Sequence, residues 1–93
     1  MAPDPASNCT VINKSSDNFH LKCVPGFDGG MEQFFHVAVV ERSSGVVHYN
    51  ETTKKLDLFI QNLSEGSSYL TTVTPINKKG VGKSTHVIVD TPQ

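Results

Sequence analysis

The sequence predicts an all-β fold, a seven-stranded antiparallel sandwich around a single core. Three observations predict it. β-Branched residues dominate, with 11 Val, 4 Ile and 8 Thr against 3 Ala and 5 Leu, and such side chains suit a pleated surface. Apolar segments recur with turn residues between them at the spacing of a sandwich or barrel rather than of strands alternating with helices. No long segment carries a 3.6-residue period, so no regular helix is expected. At 93 residues the chain holds one domain and has no room for a second core.

Residues 1–7 include Pro3 and Pro5 and are expected to be extended or loose, a disordered or linker tail. The domain proper is expected over 8–91, with a linker beginning at 92–93. A first strand covers about Cys9–Asn13, and Ser15-Ser16-Asp17-Asn18 turns the chain. In the second strand Phe19, Leu21 and Cys23 share one face and His20 and Lys22 the other. Pro25 to Gly30 is turn-rich. The third strand runs from about Gln33 to Glu41, with Phe35, Val37 and Val39 inward. A short fourth strand spans Val46–Asn50 after Ser43-Ser44-Gly45. Leu56, Leu58 and Ile60 mark the fifth, and Tyr69, Thr71 and Val73 the sixth. The last covers about Ser84–Asp90, after the Lys78–Gly82 loop. Pro75 is a local conflict, because Pro cannot donate to a ladder. Either the sixth strand stops near Thr74 or a bulge takes Pro75 out of the pairing. The expected core is Phe19, Leu21, Phe35, Val37, Val39, Leu56, Leu58, Ile60, Tyr69, Val73 and Val89.

Eight Lys and Arg oppose nine Asp and Glu, a formal net charge of -1. That balance gives no general attraction to nucleic acid or anionic lipid. No apolar run approaches the length of a membrane-spanning helix. Asn-x-Ser/Thr sequons begin at Asn8, Asn13, Asn50 and Asn62, each near an expected strand end or turn. Four in so short a chain read as a surface made for N-glycans outside the cell. An oxidising compartment lets Cys9 and Cys23, the only two cysteines, form a disulfide. They lie nearly symmetrically about the first turn, where cross-strand partners face each other. Met1–Ser7 has no apolar stretch of the kind a secretory signal needs. The chain is therefore expected to be a piece of a longer ectodomain.

The pattern Leu63-x5-Tyr69-x-Thr71-x-Val73-x-Pro75-x-Asn77-x2-Gly80 resembles the E–F corner, strand F and F–G loop of fibronectin type III domains. The resemblance covers roughly Asn8 to Thr91. It implies an immunoglobulin-like topology, with sheet A-B-E facing sheet C-C′-F-G. It also implies a tyrosine corner closed by Tyr69, with Leu63 packed beneath it. Phe35-x-Val37-x-Val39 looks like the family's strand C. Cys23 stands where such domains usually carry Trp. With Cys9 and the loop Gly26-Phe27-Asp28-Gly29-Gly30-Met31-Glu32-Gln33, the chain resembles membrane-proximal type III domains of immunoglobulin-superfamily receptors, nearest the Sidestep and nephrin groups. Met31 and Glu32 depart from the usual Leu-Pro of that loop.

The resemblance implies a non-enzymatic module of a single-pass adhesion or axon-guidance receptor, on the extracellular side of the plasma membrane. Its partners would be protein: neighbouring immunoglobulin domains, other cell-surface proteins, or a second copy. The competing expectation is a ligand-binding cytokine-receptor-like domain, which also carries an A–B disulfide. Against it, the Trp-Ser-x-Trp-Ser signature is missing and the chain has no Trp.

No catalytic set, cofactor site or metal site is expected. Gly80-Val81-Gly82-Lys83-Ser84-Thr85 resembles the end of a phosphate-binding loop. Asn77 stands where that motif needs Gly, and strand, not helix, is expected to follow. His20, His36, His48 and His86 fall on separate strands, without ligand spacing. Lys78, Lys79 and Lys83 form a basic tip, and short Lys clusters are ordinary solubilising features. One surface stands out. Phe34, Ala38, Val40, Leu70, Ile76 and Ile88 are expected on the outer face of strands C, F and G, away from the sequons. Of those sequons, Asn8, Asn13 and Asn62 are expected on or beside the other sheet and Asn50 at the edge, after the fourth strand. That face, expected to be free of glycan, is the candidate contact for a neighbouring domain or a second copy.

Overall fold

A computed structural model describes all of residues 1–93. Eight strands form two antiparallel sheets, and no helix occurs. In chain order they are β1 (Ser7–Ile12), β2 (Phe19–Val24), β3 (Phe34–Glu41), β4 (Val47–Thr53), β5 (Asp57–Ile60), β6 (Ser68–Asn77), β7 (Gly80–Val81) and β8 (Thr85–Asp90). The smaller sheet has the order β1-β2-β5; the larger runs β4-β3-β6, with β7 and β8 both pairing β6. The strand beyond the expected seven is the two-residue β7, split from the F–G hairpin.

Alternation along the strands builds the core. In β6, Tyr69, Thr71, Val73, Pro75 and Asn77 are buried while their neighbours are half-exposed. Phe35, Val37 and Val39 do the same in β3. Every residue expected in the core is buried, joined by Ala6 and Leu63.

Pro75 is accommodated by neither anticipated route. β6 continues to Asn77, and its pairing with β3 is unbroken, Phe35 facing Pro75 and Phe34 facing Ile76. The interruption falls on the other side. There β8 ends its pairing at Thr85 opposite Val73, and β7 begins at Val81 opposite Ile76. The Pro75 carbonyl accepts from the Gly82 N–H at 2.8 Å. In an antiparallel strand a residue's N–H and C=O point to the same side, so the donor that Pro lacks would have faced this gap between strands.

The N-terminal segment is not the loose tail expected. Pro3 and Ala6 are buried. The Asp4 N–H donates to the Phe27 carbonyl at 2.8 Å. Asn77, 6% exposed, clamps the segment to the β2–β3 loop. Its Nδ2 donates to the Met1 carbonyl at 2.7 Å and the Asp28 carbonyl at 2.8 Å, and its Oδ1 accepts from the Lys79 and Gly80 N–H groups. A Cβ on Gly82 would lie 2.2 Å from the Pro3 carbonyl oxygen, and one on Gly29 2.1 Å from that of Met1. The segment has no strand periodicity, and its partners lie far along the chain. Hence sequence spacing gave no sign of it.

Candidate functional site

Cys9 and Cys23 are joined in a disulfide between β1 and β2. The ladder shifts register between Ser7 and Thr10, and Asn8 there has φ 50°. The register of Thr10 with Lys22, continued by one residue, sets Cys9 opposite Cys23, and the extra residue is taken up beyond it, toward Ser7.

At one end of the sandwich the Tyr69 hydroxyl, fully buried, accepts from the Ser64 N–H at 2.6 Å. Thr91 completes the corner, donating to the Ser64 carbonyl at 2.7 Å and accepting from the Ser67 N–H at 3.0 Å. Leu63 is buried beneath, and its N–H donates to the Asp17 carbonyl. The β1–β2 turn, the β5–β6 corner and the C-terminal residues therefore share this end.

The outer face of the larger sheet resolves into rows set by strand register. At the corner end Val47, Val40, Leu70 and Ile88 lie side by side across four strands. At the far end Phe34, Ile76 and Val81 form a second apolar row. Two polar rows separate them. One is Asn50, Ala38, Thr72 and His86; the other has Thr52, His36 and Thr74. Hydrogen bonds lace these rows: His36 Nε2 with Asn50 Oδ1 at 2.5 Å, His86 Nδ1 with Thr72 Oγ1 at 3.1 Å, Thr74 Oγ1 with Ser84 Oγ at 2.7 Å. The six residues expected on this face are indeed off the core, but they form no continuous patch. Ala38 sits alone in a polar row. Val47 and Val81, 54% and 65% exposed, were missed. Register shifts by one between Tyr49 and Val47, which turns Val47 outward, and only the strand pairing reveals that.

The Phe34 end is partly roofed. The Lys54 ammonium lies 5.7 Å from the Phe34 ring centroid and 3.4 Å from a Glu32 carboxylate oxygen. Phe34, Gly30, Met31, Glu32 and Lys78 line a shallow, open cleft of about 260 Å³. Lys78, Lys79 and Lys83 are exposed around the adjoining loop.

The sequon asparagines are all exposed. Asn8, Asn13 and Asn62 have φ of 50°, 52° and 64°, the left-handed region that Asn tolerates best among non-glycine residues. Asn50 lies inside β4, not after the fourth strand, and on the outer face of the larger sheet. The expectation that this face is free of sequons is therefore corrected.

Each histidine has a partner on a neighbouring element. Besides the pairs above, His20 contacts Asp57, and His48 Nδ1 lies 3.3 Å from the Asn62 carbonyl. The His20 hydrogen bond lowers the Asp57 carboxyl below its ordinary 3.8, with Lys22 adding to it. Partial burial, with Glu51 nearby, raises the Tyr49 hydroxyl. Nowhere do three His, Cys, Asp or Glu side chains gather as metal ligands. The Gly82 N–H, which a phosphate loop would aim at its ligand, is spent on Pro75.

No protein-family model matches the chain, and no curated protein does. Solved structures do. Domains d3–d4 of the rat CD45 extracellular region superpose over 98% of this chain and 51% of that one, at 15% identity and a TM-score of 0.84. The sixth fibronectin type III domain of human fibronectin type III domain containing protein 3 covers 99% of this chain and 88% of its own, at 18% identity and 0.82. Domains A168–A170 of titin give 22% identity, 99% and 33% coverage and 0.80. The chain thus spans about half or less of the CD45 and titin structures. The fold is that of a fibronectin type III domain.

Proposed function

We propose that the chain is a non-enzymatic extracellular module of a cell-surface adhesion or axon-guidance receptor, one that spaces and orients neighbouring immunoglobulin domains. One observation carries this reading. The backbone enters at the end holding the β2–β3 and β6–β7 loops, tied there through Asn77. It leaves at the other end, where the Gly66 N–H donates to the Pro92 carbonyl at 3.1 Å. The body between measures 43 Å along its longest axis. Termini fixed at opposite ends suit a spacer, since slack at a junction would lose orientation. The Cys9–Cys23 disulfide supports an oxidising compartment. A cytokine-receptor-like role is less well served, because the chain's own first residues occupy the loops at the entry end.

The test is secretion of the parent ectodomain from eukaryotic cells. Thiol alkylation before and after reduction should reveal two protected sulfurs in this domain. Small-angle scattering should give a fixed spacing between the flanking domains. Free thiols in secreted material, or scattering of a freely jointed chain through this domain, would defeat the reading.

A further inference from the structure

The sandwich has four sheet edges: β1 and β5 in one sheet, and in the other β4 and the edge that the two-residue β7 and β8 share along β6. An edge of unpaired N–H and C=O groups is a template for a strand from another molecule, and folded proteins guard such edges. Three carry a structural guard. β1 follows Pro3 and Pro5 and is broken by the bulge at Asn8 and Cys9. β5 has only 4 residues. Ala6 lies against β8, where the Thr85 hydroxyl donates to the Ala6 carbonyl at 2.7 Å. β4 is the longest edge, at 7 residues. From Tyr49 to Thr53 its register with β3 is unbroken. That run contains no Pro or Lys, and its one carboxylate is Glu51.

The sequon Asn50-Glu51-Thr52 lies in the middle of that unguarded run. The other sequon asparagines occupy left-handed backbone, which by itself favours Asn. Asn50 is in a strand, where Asn is disfavoured. Its Oδ1 is held by His36 Nε2 at 2.5 Å. Asn50 is exposed, and N-glycosylation modifies its Nδ2, not the Oδ1 that His36 holds. We propose that Asn50 carries an N-linked glycan that guards the β4 edge against strand addition by a second copy of the chain. The donor is a lipid-linked oligosaccharyl pyrophosphate. Nδ2 loses one proton and bonds the anomeric carbon of the first sugar, and the lipid pyrophosphate leaves. The glycan would also stand between the two apolar rows of the outer face and screen them from a partner. The proposal rests on the extracellular reading above.

The test uses this chain secreted from eukaryotic cells. Each sequon is read by glycopeptide mass spectrometry, and self-association by sedimentation velocity. Asn50 should be occupied and the protein monomeric. Thr52→Ala and Asn50→Gln each remove the sequon, and the first keeps the Asn50 side chain. Both should shift the chain to dimers or larger species at the same concentration. Ser64→Ala, which removes the Asn62 sequon and leaves the Ser64 backbone contacts with Tyr69, should stay monomeric. Occupancy elsewhere with a bare Asn50 would overturn the proposal alone. So would monomeric Thr52→Ala and Asn50→Gln proteins, or self-association of Ser64→Ala equal to theirs. Secretion with every sequon bare would overturn both the proposal and the glycosylated-ectodomain reading it stands on.

Discussion

Two buried threonines of β6 and the C-terminal corner show how much a hydroxyl depends on its partners. Thr71 is fully buried, and its Oγ1 has no hydrogen-bond partner. Thr91, 5% exposed, has partners on both sides of its hydroxyl, the Ser64 carbonyl and the Ser67 N–H. An unpaired buried hydroxyl costs about 1–3 kcal/mol, whereas removing a paired one strands its partners at similar cost. Thr71→Val should therefore raise stability by about 1 kcal/mol, and Thr91→Val should lower it by roughly 1–3 kcal/mol. Urea unfolding of the two variants checks the opposite signs, and equal effects would refute the pairing argument. At the surface, Asp57 is held below its ordinary 3.8 by His20 and Lys22. A carboxyl whose folded value is depressed stabilises the fold above its unfolded value and loses that contribution as pH falls through the folded one. The stability gap between wild type and Asp57→Asn should accordingly be open at neutral pH and close below pH 3.8. A gap that widens in acid would contradict the His20 contact.

At the scale of elements, the N-terminal segment behaves as a packed strap. Gly82 has room for no side chain, because its Cβ would meet the Pro3 carbonyl oxygen at 2.2 Å and Pro75 at 2.9 Å. Gly82→Ala should displace the strap and cost about 1–3 kcal/mol, the usual range for overpacking. Hydrogen exchange at the Asp4 N–H, which is bonded to Phe27, should quicken while the β3–β6 ladder stays protected. Unchanged exchange at Asp4 would mean that the strap does not depend on that contact. The strap also marks where sequence legibility ends. Period-2 alternation is local, so the inward faces of β3 and β6 could be read directly. The corner was expected from the family resemblance, which rests on the placing of Leu63 and Tyr69 within the motif. The strap's contacts, such as Asn77 with Met1, join residues 76 apart, and no local pattern encodes them. The rows of the outer face were hidden for the same reason. Each is the product of register among three or four strands, and the shift at His48 changes which β4 residues belong to it.

For the whole molecule, the spacer role proposed above requires that tension pass between its ends, and the disulfide fixes how much chain can be released. Pulling on the termini loads β1 and β8, the first and last full strands, which lie in different sheets. With the Cys9–Cys23 bond in place, the residues between the two cysteines, separated by 14 in sequence, form a closed loop that force cannot straighten. Force can peel β1 only as far as Cys9 before it must break β2 out of its ladder with β5. Reduction frees β1 to detach alone and lets the loop extend. At about 3.3–3.6 Å per extended residue, the contour released on full unfolding should grow by about 50 Å. Reduction should also lower thermodynamic stability by about 3 kcal/mol if chain entropy dominates the crosslink. Single-molecule stretching between terminal handles, with and without reductant, measures the first quantity, and denaturant unfolding the second. A released length indifferent to reductant would mean that the bond does not lie in the loaded path. The spacer reading would then lose the element that limits its extension.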